Sequence, residues 1–265
     1  MTVDLHCHVI SRDEARYPRA PLGGKQSDWS QERPVSAVEM IAAMDEAGIE
    51  RSVLVQASTC YGHRNDYLAD SVAAHAQRFC GVFSVDVLAA DAPAEIRRWK
   101  SKGLVGLRVF VAGHTTKQDV RLDDPRSFAA WECAQQLGMT VCVQVRAAGL
   151  PQLEAMLERF PRTKVALDHM ARPDPGDASG LLALARYENL YLKLTTHNVH
   201  DLPPDFLARV VKHYGAKRVA WGSNYPAAKG KLKDLLAEAR NALPGLTEGE
   251  RDWIFSRTAA VLYSR

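Results

Sequence analysis

The feature that most constrains this chain is a regular alternation of short apolar runs with amphipathic segments, sustained from one end to the other. Apolar runs at residues 2–8, 52–56, 79–85, 105–110, 140–145, 164–168, 190–195 and 218–222 have the length and composition of strands. Between them, residues 35–47, 66–77, 125–137, 150–160 and 203–214 carry apolar side chains at helical spacing. Gly48, Gly103, Gly138 and Gly215 stand where helix candidates stop, and Pro151 and Pro203 stand where they start. Eight strands at intervals of roughly 30 residues predict repeated βα units and a parallel sheet.

A length of 265 residues is close to the roughly 250 of a complete (β/α)8 barrel. The expected fold is therefore α/β, one barrel domain over residues 1–265, with closing helices at 231–243 and 247–263. An open doubly wound sheet would place a Gly-rich phosphate turn after its first strand, where this chain has His6-Cys7-His8. No linker rich in Pro, Gly or Ser divides the sequence, and no repeat recurs at a fixed period. Residues 11–34 break the alternation with a long polar loop containing Tyr17, Gly23, Gly24 and Trp29. Loops this long in a compact domain are usually functional, so it is expected to hang over the barrel mouth, with a disordered insertion as the alternative.

Composition narrows the function. A net charge of +3 over 265 residues offers no concentrated basic face for nucleic acid. No run approaches the ~20 apolar residues of a membrane span. The five cysteines, Cys7, Cys60, Cys80, Cys133 and Cys142, are scattered and form no C-x-x-C pair, as for reduced thiols. The segment 1–6 runs directly into strand-like sequence without a basic, then apolar, leader. A cytoplasmic protein is expected.

Catalytic groups of such barrels sit at the C-terminal ends of the strands. Polar residues do gather where the apolar runs finish: His6, His8, Gln56, Asp86, Arg108, Gln144, His169, Lys193 and Asn224. Strand alternation puts Asp4, His6 and His8 on one face, expected to look to the barrel axis, and Leu5 and Cys7 on the other, expected to look to the helices. Two imidazoles on one strand face can converge on one metal ion or one water. Arg108 and Lys193 lie within strands, and buried charge demands a partner or a ligand. Because Arg binds carboxylates through a bidentate fork, an anionic substrate is implied; the alternative for Arg108 is an internal ion pair, for instance with Asp86. His63 and His200 fall in loops or helices, His75 and His213 read as surface residues, and His114 and His197 as rim contacts.

Four segments in this order, Asp4-Leu5-His6-Cys7-His8, Leu167-Asp168-His169-Met170, the strand around Lys193, and Trp221-Gly222-Ser223-Asn224-Tyr225-Pro226, resemble the amidohydrolase superfamily. The similarity is to the branch of 2-pyrone-4,6-dicarboxylate lactonase and sugar-acid lactonases, and it spans the chain. It implies a barrel hydrolase acting on lactones or related bonds of small carboxylated compounds. By that resemblance His6, His8 and His169 polarise the scissile carbonyl or hold a metal, and Arg108 grips a substrate carboxylate. Lys193 matches a strand-seven lysine of the branch, and Gln144 joins both as a candidate substrate-binding residue.

Two departures matter. The family ends strand eight with an Asp where this chain has Asn224, and a neutral amide cannot act as general base near neutral pH. Gln144 stands where many metal-binding relatives have a histidine. Together they argue against a binuclear centre. Metal-free catalysis is therefore expected, with one zinc or manganese on His6, His8 and His169 as the alternative.

A lactone hydrolase is the leading reading. A substrate hydroxyl attacking the lactone would instead give an isomerase. A metal-dependent decarboxylase needs a strong metal site, and a metal-dependent deoxyribonuclease would show a Gly-Glu motif after a middle strand, which is not found. The non-enzyme alternative is a degenerate barrel that binds a small acid without turnover.

Overall fold

The computed structural model describes residues 1–111 and 121–263. His114, expected at the rim, lies outside them. Eight strands, β1 (Val3–Cys7), β2 (Arg51–Val55), β3 (Phe79–Ser84), β4 (Gly106–Phe110), β5 (Thr140–Gln144), β6 (Val165–Leu167), β7 (Leu190–Thr195) and β8 (Val219–Gly222), pair in sequence order. All seven pairings are parallel, and helices connect the strands, giving the predicted (β/α)8 barrel. Helix signals act where the sequence places them. Ser36 and Glu39 form a capping box at the start of Ala37–Ala47, and Gly48 ends that helix in the left-handed conformation. Among the described residues no helix is long and apolar enough to cross a membrane.

The ends of the sheet meet through side chains and loop backbone. Asn224 N donates to His6 O at 2.7 Å and His8 N donates to Tyr225 O at 2.9 Å. Below them the buried Asp4 carboxylate accepts from Ser223 N, Ser223 Oγ and His6 N at 2.8, 2.5 and 3.0 Å. One carboxylate thus stitches β1 to the end of β8. Burial still pushes its pKa up, to about 6, against those hydrogen bonds.

Alternate residues fill the barrel interior: Leu5, Val53, Val82, Cys142, Ala166 and Ala220 pack there. The final helix, Thr258–Tyr263, contributes Ala259, Leu262 and Tyr263 to the same cluster. The Tyr263 ring leaves no room for a side chain at Gly106, where a Cβ would lie 2.8 Å from it. The tail closes the barrel as expected, though the single helix predicted for 247–263 is three consecutive helical pieces.

One expectation about β1 fails. Asp4 pairs with Ser52 and Cys7 with Leu54, so three steps on β1 match two on β2. This irregularity breaks strict alternation. Leu5 faces the interior instead of the helices, while Cys7 packs outward with the helix-facing core. Both histidines still reach the mouth.

Candidate active site

Beneath the mouth lies a group of buried charges. Asp168, one residue beyond β6, places Oδ1 3.0 Å from Lys193 Nζ and Oδ2 3.3 Å from Arg108 Nη2. The same Oδ1 is 3.4 Å from His6 Nδ1 and accepts from Cys142 Sγ at 3.0 Å. Lys193 also contacts Cys142 Sγ at 2.8 Å and His6 Nδ1 at 3.4 Å. Burial alone would raise the Asp168 carboxyl, but Lys193, His6 and Arg108 outweigh it and hold the group well below the ordinary carboxylate range. Lys193 moves the other way: burial lowers its pKa, Asp168 and Cys142 raise it, and the net shift is upward. Both shifts favour the ionised pair.

Three imidazoles sit above this group. The His6 ring lies 4.9 Å from that of His8 and 5.0 Å from that of His169. Burial pushes His6 down to about 4 and holds His8 and His169 well below the usual histidine value, so all three are neutral near pH 7. Their partners assign the tautomers. His8 Nδ1 faces the Val55 carbonyl at 2.8 Å and must carry its hydrogen there. Thr195 donates its hydroxyl hydrogen to Asn198, leaving its oxygen to accept from His169 Nδ1 at 2.8 Å. Both rings therefore keep an Nε2 lone pair. His6 has no exposed surface, and its Nε2 has no partner among the described residues.

A cavity of about 540 Å³ opens over these rings, lined by His8, His169, Arg108, Arg172, Trp29 and Asn224 among others. Leu22, Gly23 and residues 25–29 of the long loop form one wall, so the loop covers the mouth as expected. It is tied down by Ala20 N to Cys60 O at 2.9 Å and Ser27 N to Thr59 O at 3.1 Å. Trp29 stacks on His8 with centroids 5.3 Å apart. On the opposite side, His169, Met170, Ala171 and Arg172 all have φ between 48° and 61°. Four successive left-handed residues without glycine are costly. Asn198 Nδ2 holds the turn by donating to His169 O at 2.8 Å. The turn aims half-buried Arg172 at the cavity, where it makes no salt bridge with the described residues.

The other candidate residues separate clearly. Asn224 reaches the cavity from a left-handed backbone (φ 57°). Gln144 lines the cavity and accepts from Arg108 at 2.5 Å. Lys193 is wholly buried and does not line the cavity. The suggested Arg108 to Asp86 ion pair does not form: Asp86 is exposed and caps its own loop at Leu88 N, and Asp168 is the partner of Arg108 instead. Gln56 supports Arg108 through its carbonyl at 2.7 Å. His197 packs 5.4 Å from the ring of His169, whereas His75 lies against Phe79 and His213 and His200 are on the surface. His63 contacts Ser84 at 3.0 Å. Sequence reasoning missed Asp168, Cys142 and Arg172. Asp168 carried a signal, as a carboxylate directly before a strand-end histidine.

A metal does not fit these donors. Among the described residues no group of three or more His, Cys, Asp or Glu side chains is arranged to hold one. Asp168 spends both oxygens on cations, and Lys193 and Arg108 place two positive charges beside His6. Strand eight ends in an amide, which removes the hard anionic ligand.

The fold and site together define a parallel eight-stranded barrel with three imidazoles and an ion-paired buried carboxylate at its C-terminal mouth. The chain belongs to the amidohydrolase family, whose model matches residues 3–265. L-fucono-1,5-lactonase of Burkholderia ambifaria is 27% identical over 248 residues, covering 86% of this chain and 81% of that protein. A probable 2-pyrone-4,6-dicarboxylic acid hydrolase from Acinetobacter baumannii, solved with citric acid bound, superposes with a TM-score of 0.78 at 19% identity. That match covers 100% of this chain and 99% of the other. An amidohydrolase from Burkholderia multivorans with bound zinc gives a TM-score of 0.80 at 18% identity, over 100% and 99% of the two chains.

Proposed function

We propose that this enzyme hydrolyses a lactone, or a comparable ester or amide bond, of a small carboxylated compound. The supporting observation is the cavity itself, which joins neutral imidazole lone pairs to the Arg172 guanidinium, a group that forms no salt bridge with the described residues. Arg172 takes the substrate carboxylate. His169 Nε2, backed by Thr195 and Asn198, removes a proton from water, and the oxygen attacks the carbonyl carbon. His8, with its lone pair on the same cavity, orients that water. The oxyanion is met by Arg108, whose buried Nε–H has no described partner, and by the amide of Asn224. The tetrahedral intermediate collapses, and the departing ring oxygen takes back the proton from His169. The tautomers thus favour base and orienting roles over carbonyl polarisation for His8 and His169. His6 acts from behind as a positioning residue, between the rings and the Asp168 and Lys193 pair.

Asn224 favours a second reading, lactone isomerisation, in which His169 takes its proton from a substrate hydroxyl instead of water. One assay separates the readings: lactones of sugar acids and of pyrone dicarboxylates, incubated in oxygen-labelled water. Hydrolysis places label in the acid product, and His169→Asn lowers turnover by about 10²–10⁴-fold. Unlabelled isomer supports the second reading. Thermal stabilisation by carboxylates with no product from any lactone overturns both and leaves a binding-only barrel.

A further inference from the structure

Cys142 has no part in the hydrolytic scheme, yet it occupies the middle of the buried charges. Its Sγ lies 2.8 Å from Lys193 Nζ. An N–H···O bond already spans about 2.7–3.2 Å, and sulfur is the larger atom, so this contact is unusually close. Cys7, Cys60 and Cys133 show the ordinary scale, with hydrogen bonds at 3.7, 3.6 and 3.5 Å. The closeness follows from the barrel. Cys142 on β5 and Lys193 on β7 flank β6, whose inward residue at that level is the small Ala166, paired with Cys142 on one side and Tyr191 on the other. Asp168 Oδ1 completes a triangle, 3.0 Å from both the sulfur and the nitrogen. All three side chains are fully buried.

We propose that Cys142 and Lys193 form an oxygen-bridged covalent cross-link, Sγ–O–Nζ, when the protein meets dioxygen. Two single bonds meeting at one oxygen span roughly the separation already present, whereas a direct S–N bond would require the side chains to close much further. Lys193 enters as the amine after passing a proton to Asp168. The thiol S–H and one amine N–H are then lost, and S–O and N–O bonds form. Dioxygen accepts four electrons; one oxygen atom stays in the bridge and the other leaves as water with both hydrogens. A thiol reductant reverses the step, restoring thiol and amine and releasing the bridging oxygen as water. Burial excludes bulky oxidants and alkylating reagents but admits a diatomic gas. The cross-link removes the ammonium and leaves its proton on Asp168, so the ion pair directly beneath the histidines is replaced by a neutral carboxyl.

The test compares intact and peptide masses of wild-type protein purified without oxygen, then exposed to air, then treated with dithiothreitol. The expected product is one species heavier by an oxygen and lighter by two hydrogens, mapped to Cys142 and Lys193 and lost on reduction. Cys142→Ser and Cys142→Ala must both lack it; the wild-type measurement stands even if either variant fails to fold. Wild-type protein that stays unmodified, carries only sulfinic or sulfonic acid at Cys142, or links other residues overturns the proposal. None of these readouts depends on the substrate.

Discussion

Asp168 is the only anion in contact with two buried cations among the described residues, Lys193 and Arg108. Replacing it with Asn leaves both charges uncompensated, Lys193 wholly enclosed and Arg108 nearly so at the floor of the cavity. Asp168→Asn is therefore expected to cost about 3–5 kcal/mol, the range for breaking a buried pair from one side, measured by denaturant unfolding. A loss below about 1 kcal/mol would mean that the cluster is solvated and that its charges are independent. At this scale the sequence was half legible. His6, His8, Arg108, His169 and Asn224 stood out because polar residues at strand ends of a barrel converge. Asp168 and Cys142 did not, because their importance lies in partners on β4, β5 and β7 that only the closed barrel brings within 3.4 Å. Lys193 was read as a substrate ligand for the same reason. A charge inside a strand demands a partner, but sequence does not say whether that partner is protein or ligand.

The turn after β6 behaves as a unit because four residues share one strained conformation. Ala171, at φ 61°, offers a way to measure the strain. Glycine there relieves about 1–2 kcal/mol of left-handed strain, offset by roughly 1 kcal/mol from greater freedom in the unfolded chain. Ala171→Gly is thus expected to leave stability within about 1 kcal/mol of wild type. By contrast Ala42→Gly, on the exposed side of Ala37–Ala47, should lose about 1 kcal/mol from helix propensity alone. Ala171 is also fully buried, so if Ala171→Gly costs more than Ala42→Gly by more than the roughly 1 kcal/mol of one buried methyl, the turn is not strained. Neither this turn nor the bulge in β1 was legible in advance. Left-handed backbone announces itself through Gly or Asn, and residues 169–172 contain neither. The bulge hides within Val3–Cys7, where apolar and polar residues alternate without a break, so the period-two rule sent Leu5 to the wrong face. The long loop after β1 was legible, because its length and polarity leave the mouth as the place where it can lie.

Across the whole molecule, acid should act through the buried histidines. The folded pKa of His6 is about 4 against 6.5 for the free side chain. Within that window the unfolded chain binds a proton that the folded chain refuses, so stability falls as the pH drops from about 6.5 towards about 4. His8, His169 and His197 are shifted the same way by burial. Asp4 opposes them: its folded pKa of about 6 exceeds the free value of 3.8, so the fold takes up that proton first and gains on acidification. Four groups outweigh one, and the melting temperature is expected to fall between about pH 7 and about pH 5. A flat or rising Tm over that interval would place the imidazoles in contact with water. The barrel was the most legible level, since eight evenly spaced apolar runs admit few other closures. Its seam has a consequence during synthesis. Asp4 and Ser223 lie 219 residues apart along the chain, and each completes the other's hydrogen bonds. At about 5–20 residues per second, the first strand waits roughly ten to forty seconds on the ribosome, its outer edge unpaired, before the strand that covers it emerges.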